Sequence, residues 1–480
     1  MSNEIDLGLE EREQEPFQEP PSYSGWQAAI ARYFMFDYYH TGFRTEILAG
    51  LTTFMTMAYI LVVNPLILSD AIFLNEPRDL FSELVIATAV SSAIGTLIMA
   101  LLAKYPFALA PGMGINAFFA YSVVLGLGID WRLALACVFV EGIIFILLTV
   151  TDIRRHLITA VPDVIKVATG VGIGLFLAYI GLSGAVETGG AGLIVADEVT
   201  KTSFGSFRQP ATILATVGIF LTAFLMLRRI KGALLWGIIG TALLGWVFGV
   251  AAPPSGFLAA PVFPADLFGV AITGLAGLNA ANFFDFLAAL LVFLFVDMFD
   301  TIGTLAGVGK QAGYIGEDGE LPRANQALTA DAIATTAGAV LGTSSVTTYV
   351  ESAAGISEGG RTGFTAVVVA LLFVVALFLS PVFEAIPAFA TAPALLIVGV
   401  LMMMSVVHIK WNDLTEAIPA FLTIFFIPLG FSIAEGLSAG LIAYPILKTF
   451  QGRSNEVPAV TWILALIFVT RYIFMTLRFG

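Results

Sequence analysis

Fifteen apolar stretches, separated by short polar links, run between residues 47 and 476 of a 480-residue chain. They cover 47–67, 82–103, 113–126, 132–151, 164–183, 210–227 and 232–251, then 284–306, 325–342, 350–358, 363–381, 389–407, 415–430, 432–448 and 459–476. Crossing ~30 Å of hydrocarbon as helix takes ~20 residues. Most of these stretches are near that length, so the pattern predicts an all-α polytopic membrane protein. Their apolar runs are continuous rather than alternating, which excludes a transmembrane β-barrel. The chain is 58% hydrophobic and 12% charged, too few charges to cover a soluble fold of this size.

The net charge of −13 disfavours nucleic acid as a partner. Seven acids (Glu4, Asp6, Glu10, Glu11, Glu13, Glu15 and Glu19) against Arg12 supply −6 of it within the first 25 residues, which read as a solvated acidic tail. That tail has no basic start and no early apolar run, so no cleavable signal peptide is expected. Cys137 is the single cysteine. His40, His156 and His408 lie far apart in the chain, so neither a Cys nor a His metal centre is expected. No Gly-x-x-x-x-Gly-Lys-Ser/Thr signature is present, so the chain carries no ATPase of that kind. No nucleophile–base–metal set is visible either, and an enzyme is not expected.

The loop 252–282 holds no Lys or Arg and splits the stretches into seven before and eight after. With the N-terminus in the cytoplasm, Lys104, Arg154, Arg155, Arg228, Arg229, Lys231, Lys310, Arg323, Arg361, Lys410, Lys448 and Arg453 all fall inside, as the positive-inside rule asks. Lys201 and Arg208, in the outer segment 184–208, are the exception. About 14 spans in two sets of seven give an inverted repeat, the layout of many secondary transporters. The last stretch, 459–476, breaks parity and is expected to lie at the interface. The short stretches 113–126 and 350–358 are third in each half. Each follows extended sequence rich in Pro or Thr, Tyr105–Gly114 and Gly342–Tyr349. Short strands leading into half-helices are expected there, and a matched pair of broken spans points to a binding site at mid-membrane.

Ionisable residues inside spans are costly and mark function by default. Asp297 and Asp300 stand three apart on span 8, on one helix face. Two acids so close discourage double ionisation, which suits a proton site. Glu351 begins the short tenth span, where a helix N-terminus favours an anion. A plain capping role is its alternative. Asn116 holds the corresponding place in span 3, and its amide both donates and accepts, as a heterocycle edge requires. An interhelical amide contact is its alternative. Gly112 and Gly114 suit a turn from strand to half-helix or a close approach. Glu141, Asp331 and Glu435 are expected to be mainly interhelical partners or cavity-wall groups, and Lys166 to snorkel. Phe118, Phe119, Tyr121, Phe299 and Tyr349 could stack on a flat ligand.

The motifs Phe43–Ile60, Asn64-Pro65, Ala110–Tyr121, Phe295–Thr304 and Thr347–Ile356 resemble the AzgA-like adenine/guanine/hypoxanthine permeases. These belong to the nucleobase–cation symporter-2 superfamily, with xanthine/uracil permeases as relatives. The match runs from about residue 40 to 450. The resemblance implies a core domain of 41–155 and 283–382 (spans 1–4 and 8–11) and a gate domain of 156–251 and 383–450 (spans 5–7 and 12–14) with a homodimer contact. The tail 1–40, the external loop 252–282 and the apolar segment 451–480 flank them. It also implies a base held by an acid of span 8 and one of span 10, Asp297 and Glu351 by motif position. Asn116 would join from span 3, with backbone groups of Tyr349 and Val350. Asp300 is a second acid where many relatives carry a small residue, which leaves open which aspartate faces substrate.

The expected function is import of purine nucleobases (hypoxanthine, adenine, guanine) across the cell membrane by secondary active transport. H⁺ is the expected coupling ion, carried by Asp297 or Asp300, and Na⁺ its alternative. No cofactor or metal is expected. A xanthine/uracil-type permease is the runner-up, followed by an anion exchanger or channel of the same fold, which the acidic site disfavours.

Overall fold

The computed structural model describes residues 23–151, 161–184, 186, 189–280, 282–315 and 321–479. The acidic tail through residue 22, and the loop with Arg154, Arg155 and His156, lie outside the described residues. In chain order the helices are α1 (Gly25–Tyr33), α2 (Phe43–Met57), α3 (Ile60–Ser69), α4 (Phe81–Ile98), α5 (Met113–Ala117), α6 (Trp131–Val150), α7 (Asp163–Leu182), α8 (Pro210–Leu227) and α9 (Ala233–Val247). After the loop come α10 (Val270–Thr273), α11 (Phe283–Gln311), α12 (Ala324–Leu341), α13 (Ser352–Ser357), α14 (Gly363–Ala376), α15 (Ser380–Glu384), α16 (Ala388–Met403), α17 (Leu414–Leu429), α18 (Ile433–Phe450) and α19 (Ala459–Phe479). Four short strands are β1 (Leu109–Pro111), β2 (Ile194–Asp197), β3 (Lys201–Phe204) and β4 (Val346–Thr348).

Among the described residues, eight helical segments are long and apolar enough to cross a membrane, and four shorter apolar helices accompany them. Side chains such as Phe220 (71% exposed) and Phe421 (52%) point outward, as lipid-facing groups must. Helix α12 is as long as a span but more polar, carrying Asp331, Thr335 and Thr336. Its Asp331 and Thr335 bond to the β4 region rather than to lipid. The segment 184–208, expected only as an outer link, contains a hairpin in which β2 pairs antiparallel with β3. Asp197 accepts backbone N–H groups of Val199 and Thr200 at its turn.

Strands β1 and β4 pair antiparallel in the protein centre, Ala110 opposite Thr347. Unpaired backbone inside hydrocarbon costs several kcal/mol per group, and this pairing resolves it for two non-helical segments at once. Each strand leads into a short helix, α5 or α13. The first apolar run breaks between α2 and α3 at Ala58-Tyr59, six residues before Pro65. Helices α2, α4, α6, α12 and α14 pack around the crossing. Buried Glu46 of α2 ties in the start of α14, accepting from the Thr362 and Thr365 hydroxyls at 2.8 and 2.6 Å.

Helices α7, α8, α9, α16, α17 and α18 pack mainly on one another. A Cβ at Gly174 of α7 would meet the Gly399 carbonyl oxygen of α16 at 2.7 Å, and one at Gly399 would meet the Gly174 oxygen at 2.4 Å. The two backbones are therefore in contact, which only glycine allows. Helix α19 packs against α18, where Arg471 pairs with Glu435 at 2.9 Å.

Candidate functional site

A cavity of about 580 Å³ opens where the strand-crossing group meets α7 and α16. Gly114, Ile115, Phe299 and Asp300 line one side, and Lys166, Val167, Gly170, Ile173, Met402 and Ser405 the other. Gly112 and Gly114 were expected at a turn from extended to helical backbone or at a close approach to a ligand; Gly112 stands where β1 gives way to α5, and both glycines are tightly packed by side chains. Neither has a positive φ. A Cβ on Gly114 would lie 2.5 Å from Ile173 Cγ2, and one on Gly112 would lie 2.9 Å from Thr347 Cγ2.

The two span-8 aspartates separate. Asp300 is exposed to the cavity, whereas Asp297 has no accessible surface. Of the two aspartates left open by the motif, Asp300 is the one that lines this cavity, and Asp297 lies behind it. Three residues are ~300° of helix rather than a full turn, and here that offset puts Asp300 on the cavity side and Asp297 on the strand side. Glu351 is half-buried and lies close enough to Asp300 for their charges to interact. Its carboxylate accepts from the Tyr59 hydroxyl at 2.7 Å. Sequence reasoning missed Tyr59. It lies inside the continuous apolar stretch 47–67, and the signal available was a hydroxyl-bearing ring within that stretch, five residues before Asn64-Pro65.

Asn116 is fully buried. Its side-chain oxygen accepts from the Ser344 hydroxyl, and its amide nitrogen has no partner. Tyr349 does not face the cavity as an aromatic or backbone ligand would. Its N–H donates to Ala108, its carbonyl accepts from Ser352, and its hydroxyl donates to the Pro111 carbonyl at 2.5 Å. Those bonds clamp β4 onto β1. The Val350 side chain is 60% exposed, and its carbonyl accepts from Ala353.

Phe118 and Phe119 are fully buried and pack on Phe293, so they wall the interior. Tyr121 donates to Asp70 at 2.8 Å, beside a second cavity of about 580 Å³ between α3 and α7. Phe299 remains on the cavity, half-buried and stacked on Phe295 with centroids 5.9 Å apart. Lys166 pairs with Asp163 at 2.8 Å and lies 5.2 Å from the Phe299 ring.

Behind the crossing sits a second set of acids. Asp331 accepts from the Thr301 hydroxyl at 2.8 Å and from the Thr348 N–H and hydroxyl at 2.9 and 3.0 Å. Glu141 accepts from Ser345 at 2.9 Å. Of the three acids expected between helices or on the cavity wall, Glu435 pairs with Arg471 of α19 and Asp331 with Thr301 of α11, while Glu141 and Asp331 also bond to the segment around β4.

Known proteins align with the whole of this frame. A putative permease of Methanocaldococcus jannaschii is 51% identical over 93% of this chain and 99% of its own. A guanine/hypoxanthine permease of Bacillus subtilis is 42% identical over 92% and 99%. An adenine permease of Escherichia coli is 41% identical over 94% and 97%. Among solved structures, the transmembrane domain of a cyanobacterial bicarbonate transporter, BicA, superimposes with a TM-score of 0.58 at 15% identity, covering 82% of this chain and 97% of that one. SLC26A9 gives 0.56 at 11% identity over 89% and 69%. At such identities these two establish a shared fold only. A sequence model of the Permease family, the xanthine/uracil permease group, matches residues 44–439, and the chain belongs to that family.

Proposed function

We propose that the protein is a secondary active transporter that imports purine nucleobases with protons. The observation that carries this reading is a roomy cavity that places the Asp300 carboxylate beside the Phe299 ring. A purine presents a flat apolar face and an edge of N–H donors, and such a slot matches both. Guanine/hypoxanthine and adenine permeases more than 40% identical over nearly the whole chain support the substrate class. The fold neighbours include a bicarbonate transporter, but a carboxylate-lined cavity repels anions.

In this reading Asp300 and Glu351 accept from ring N–H groups, with the Val350 N–H at the start of α13 beside them. Asn116 lies one layer behind and would act by fixing the strand crossing. The helices number fourteen spans in two inverted sets of seven, with the N-terminus cytoplasmic. The strand-crossing group forms a core that shifts against a gate built of α7–α9 and α16–α18, the gate carrying a homodimer contact. The coupling proton resides on the span-8 acids. One charge crossing ~100 mV gains ~2.3 kcal/mol, or about 50-fold accumulation.

Labelled hypoxanthine uptake, with and without a protonophore, tests the reading. Uptake should collapse with the protonophore, and unlabelled adenine and guanine should compete. Competition by uracil alone would favour a uracil-type permease. Asp300→Asn should lower uptake at least tenfold with normal membrane insertion, and unchanged kinetics would remove Asp300 from the site.

A further inference from the structure

Two carboxylate oxygens in the protein interior have no donor. Glu141 Oε1 on α6 and Asp297 Oδ1 on α11 are both fully buried and unpartnered. Their companion oxygens are used: Ser345 donates to Glu141 Oε2 at 2.9 Å, and Thr335 reaches toward Asp297 Oδ2 at 3.4 Å. The two carboxyl groups lie within hydrogen-bonding reach of each other. An ionised carboxylate only accepts hydrogen bonds. Two of them in contact in a water-free interior would repel strongly, with no hydrogen bond in return. One proton between them satisfies both orphan oxygens at once.

We propose that Glu141 and Asp297 share a single proton, and that this pair, behind the strand crossing and apart from the substrate cavity, is the seat of the coupling proton.

The inference rests on the proton-symport reading above and adds Glu141 to it. The neighbours on each packed element fit. Asp331 of α12 already has three hydrogen-bond partners on Thr301 and Thr348. Asp300, one turn on from Asp297, opens to the cavity. Cys137 lies one turn before Glu141 on its own helix and is close enough for its sulfur to feel that charge. Among the described residues no Lys, Arg or His is ion-paired with any of these acids. Nor do three of the described carboxylates converge as a metal cage would require. Release would pass the proton from Asp297 to Asp300 and on to cavity water, breaking and forming only O–H bonds and leaving two carboxylates behind.

The same proton is wired to the strands. Ser345, which bonds Glu141, accepts the Gly112 N–H at the entry to α5. Thr335, beside Asp297, donates to the Val346 carbonyl of β4 at 3.0 Å. Loss of the proton would drive Glu141 and Asp297 apart and strain this junction, which is how a buried charge could bias the cavity without touching the substrate.

The experiment uses the full chain reconstituted in liposomes with hypoxanthine as probe. Glu141→Gln should keep hypoxanthine binding within about threefold and keep counterflow. Substrate-linked proton uptake should fall at least about tenfold, and the pH dependence of accumulation should flatten. Wild-type proton flux in that variant would overturn the proposal, as would accumulation driven by a Na⁺ gradient and insensitive to a protonophore. Infrared spectra of the substrate-free protein supply the second measurement. A protonated-carboxyl band should be present in wild type and be shifted or lost in both Glu141→Gln and Asp297→Asn, because the shared hydrogen bond is gone; a band unchanged in both variants overturns the shared proton. Absence of purine binding in wild type would sink the substrate reading alone, and the infrared result would still decide the pair.

Discussion

Asp300 stands against a cavity with half-buried Glu351 near it, while Glu141, Asp297 and Asp331 lie behind the crossed strands with no accessible surface. The front pair is sparsely bonded: Tyr59 is the side-chain donor to Glu351. In the rear set Asp331 is held by the Thr301 and Thr348 hydroxyls and the Thr348 N–H, and Glu141 by Ser345, while Asp297 has only Thr335 at 3.4 Å. A sparsely bonded carboxylate beside open volume can exchange a protein or water partner for a ligand. A carboxylate enclosed by fixed donors can only gain or lose a proton, or hold structure. Five acids of similar chemistry thus divide by what surrounds them.

The sharpest way to break the contrast is Glu351→Gln. On this division it should abolish hypoxanthine uptake while leaving expression and thermal stability near wild type, because little structure depends on that side chain. A large loss of stability would move Glu351 into the structural set. Gly114→Val comes next. Its branched side chain would collide with Ile173, 2.5 Å from the position of a Cβ, and uptake should fall more than tenfold with the protein still folded. Normal uptake would mean that the approach of α5 to α7 is not needed for transport.

Tyr59→Phe removes one hydrogen bond to a carboxylate, worth about 1.5–3 kcal/mol in full and less where water can replace it. The half-saturation constant for hypoxanthine should rise about tenfold with little change in maximal rate. A pure loss of rate would instead tie Tyr59 to motion.

Far from both sets, Glu456 between α18 and α19 tests the opposite limit. Arg453 and Lys448 donate to it and hold its carboxyl down at about 2. A depressed carboxyl contributes its stability above the ordinary carboxylate range and loses it only as pH falls through the lowered value. Stability should therefore show no Glu456 dependence from roughly pH 5 to 8. Glu456→Gln should leave uptake unchanged and lower the melting temperature by under about 2 °C, since Lys448 and Arg453 keep Asp413 and Glu416 as partners.

The spans were legible because an apolar run in lipid has few alternatives to helix; 113–126 and 210–227 coincide with the helical segments observed there. The strand positions were legible from Pro and Thr ahead of the two short runs. The facing of Asp297 and Asp300 was not. Three residues apart on one helix, they share a face by periodicity, and only the placement of β4 and α7 decides which one meets the cavity. The Glu141–Asp297 contact was hidden for a related reason: α6 and α11 meet through tertiary packing that no local pattern encodes. The β2–β3 hairpin escaped because its strands are only four residues each, in a segment read as a link.

The meeting of Gly174 with Gly399 joins α7 to α16 with no side chain in between. At that point the rods touch backbone to backbone, with Ala178, Leu395 and Met402 packed along the same seam, and they are expected to tilt or travel as a single plank. Whatever passes through the cavity must do so by motion along the plank's free edge, where Ile173 rests on Gly114, and a purine lodged there would act as the wedge that holds that edge apart.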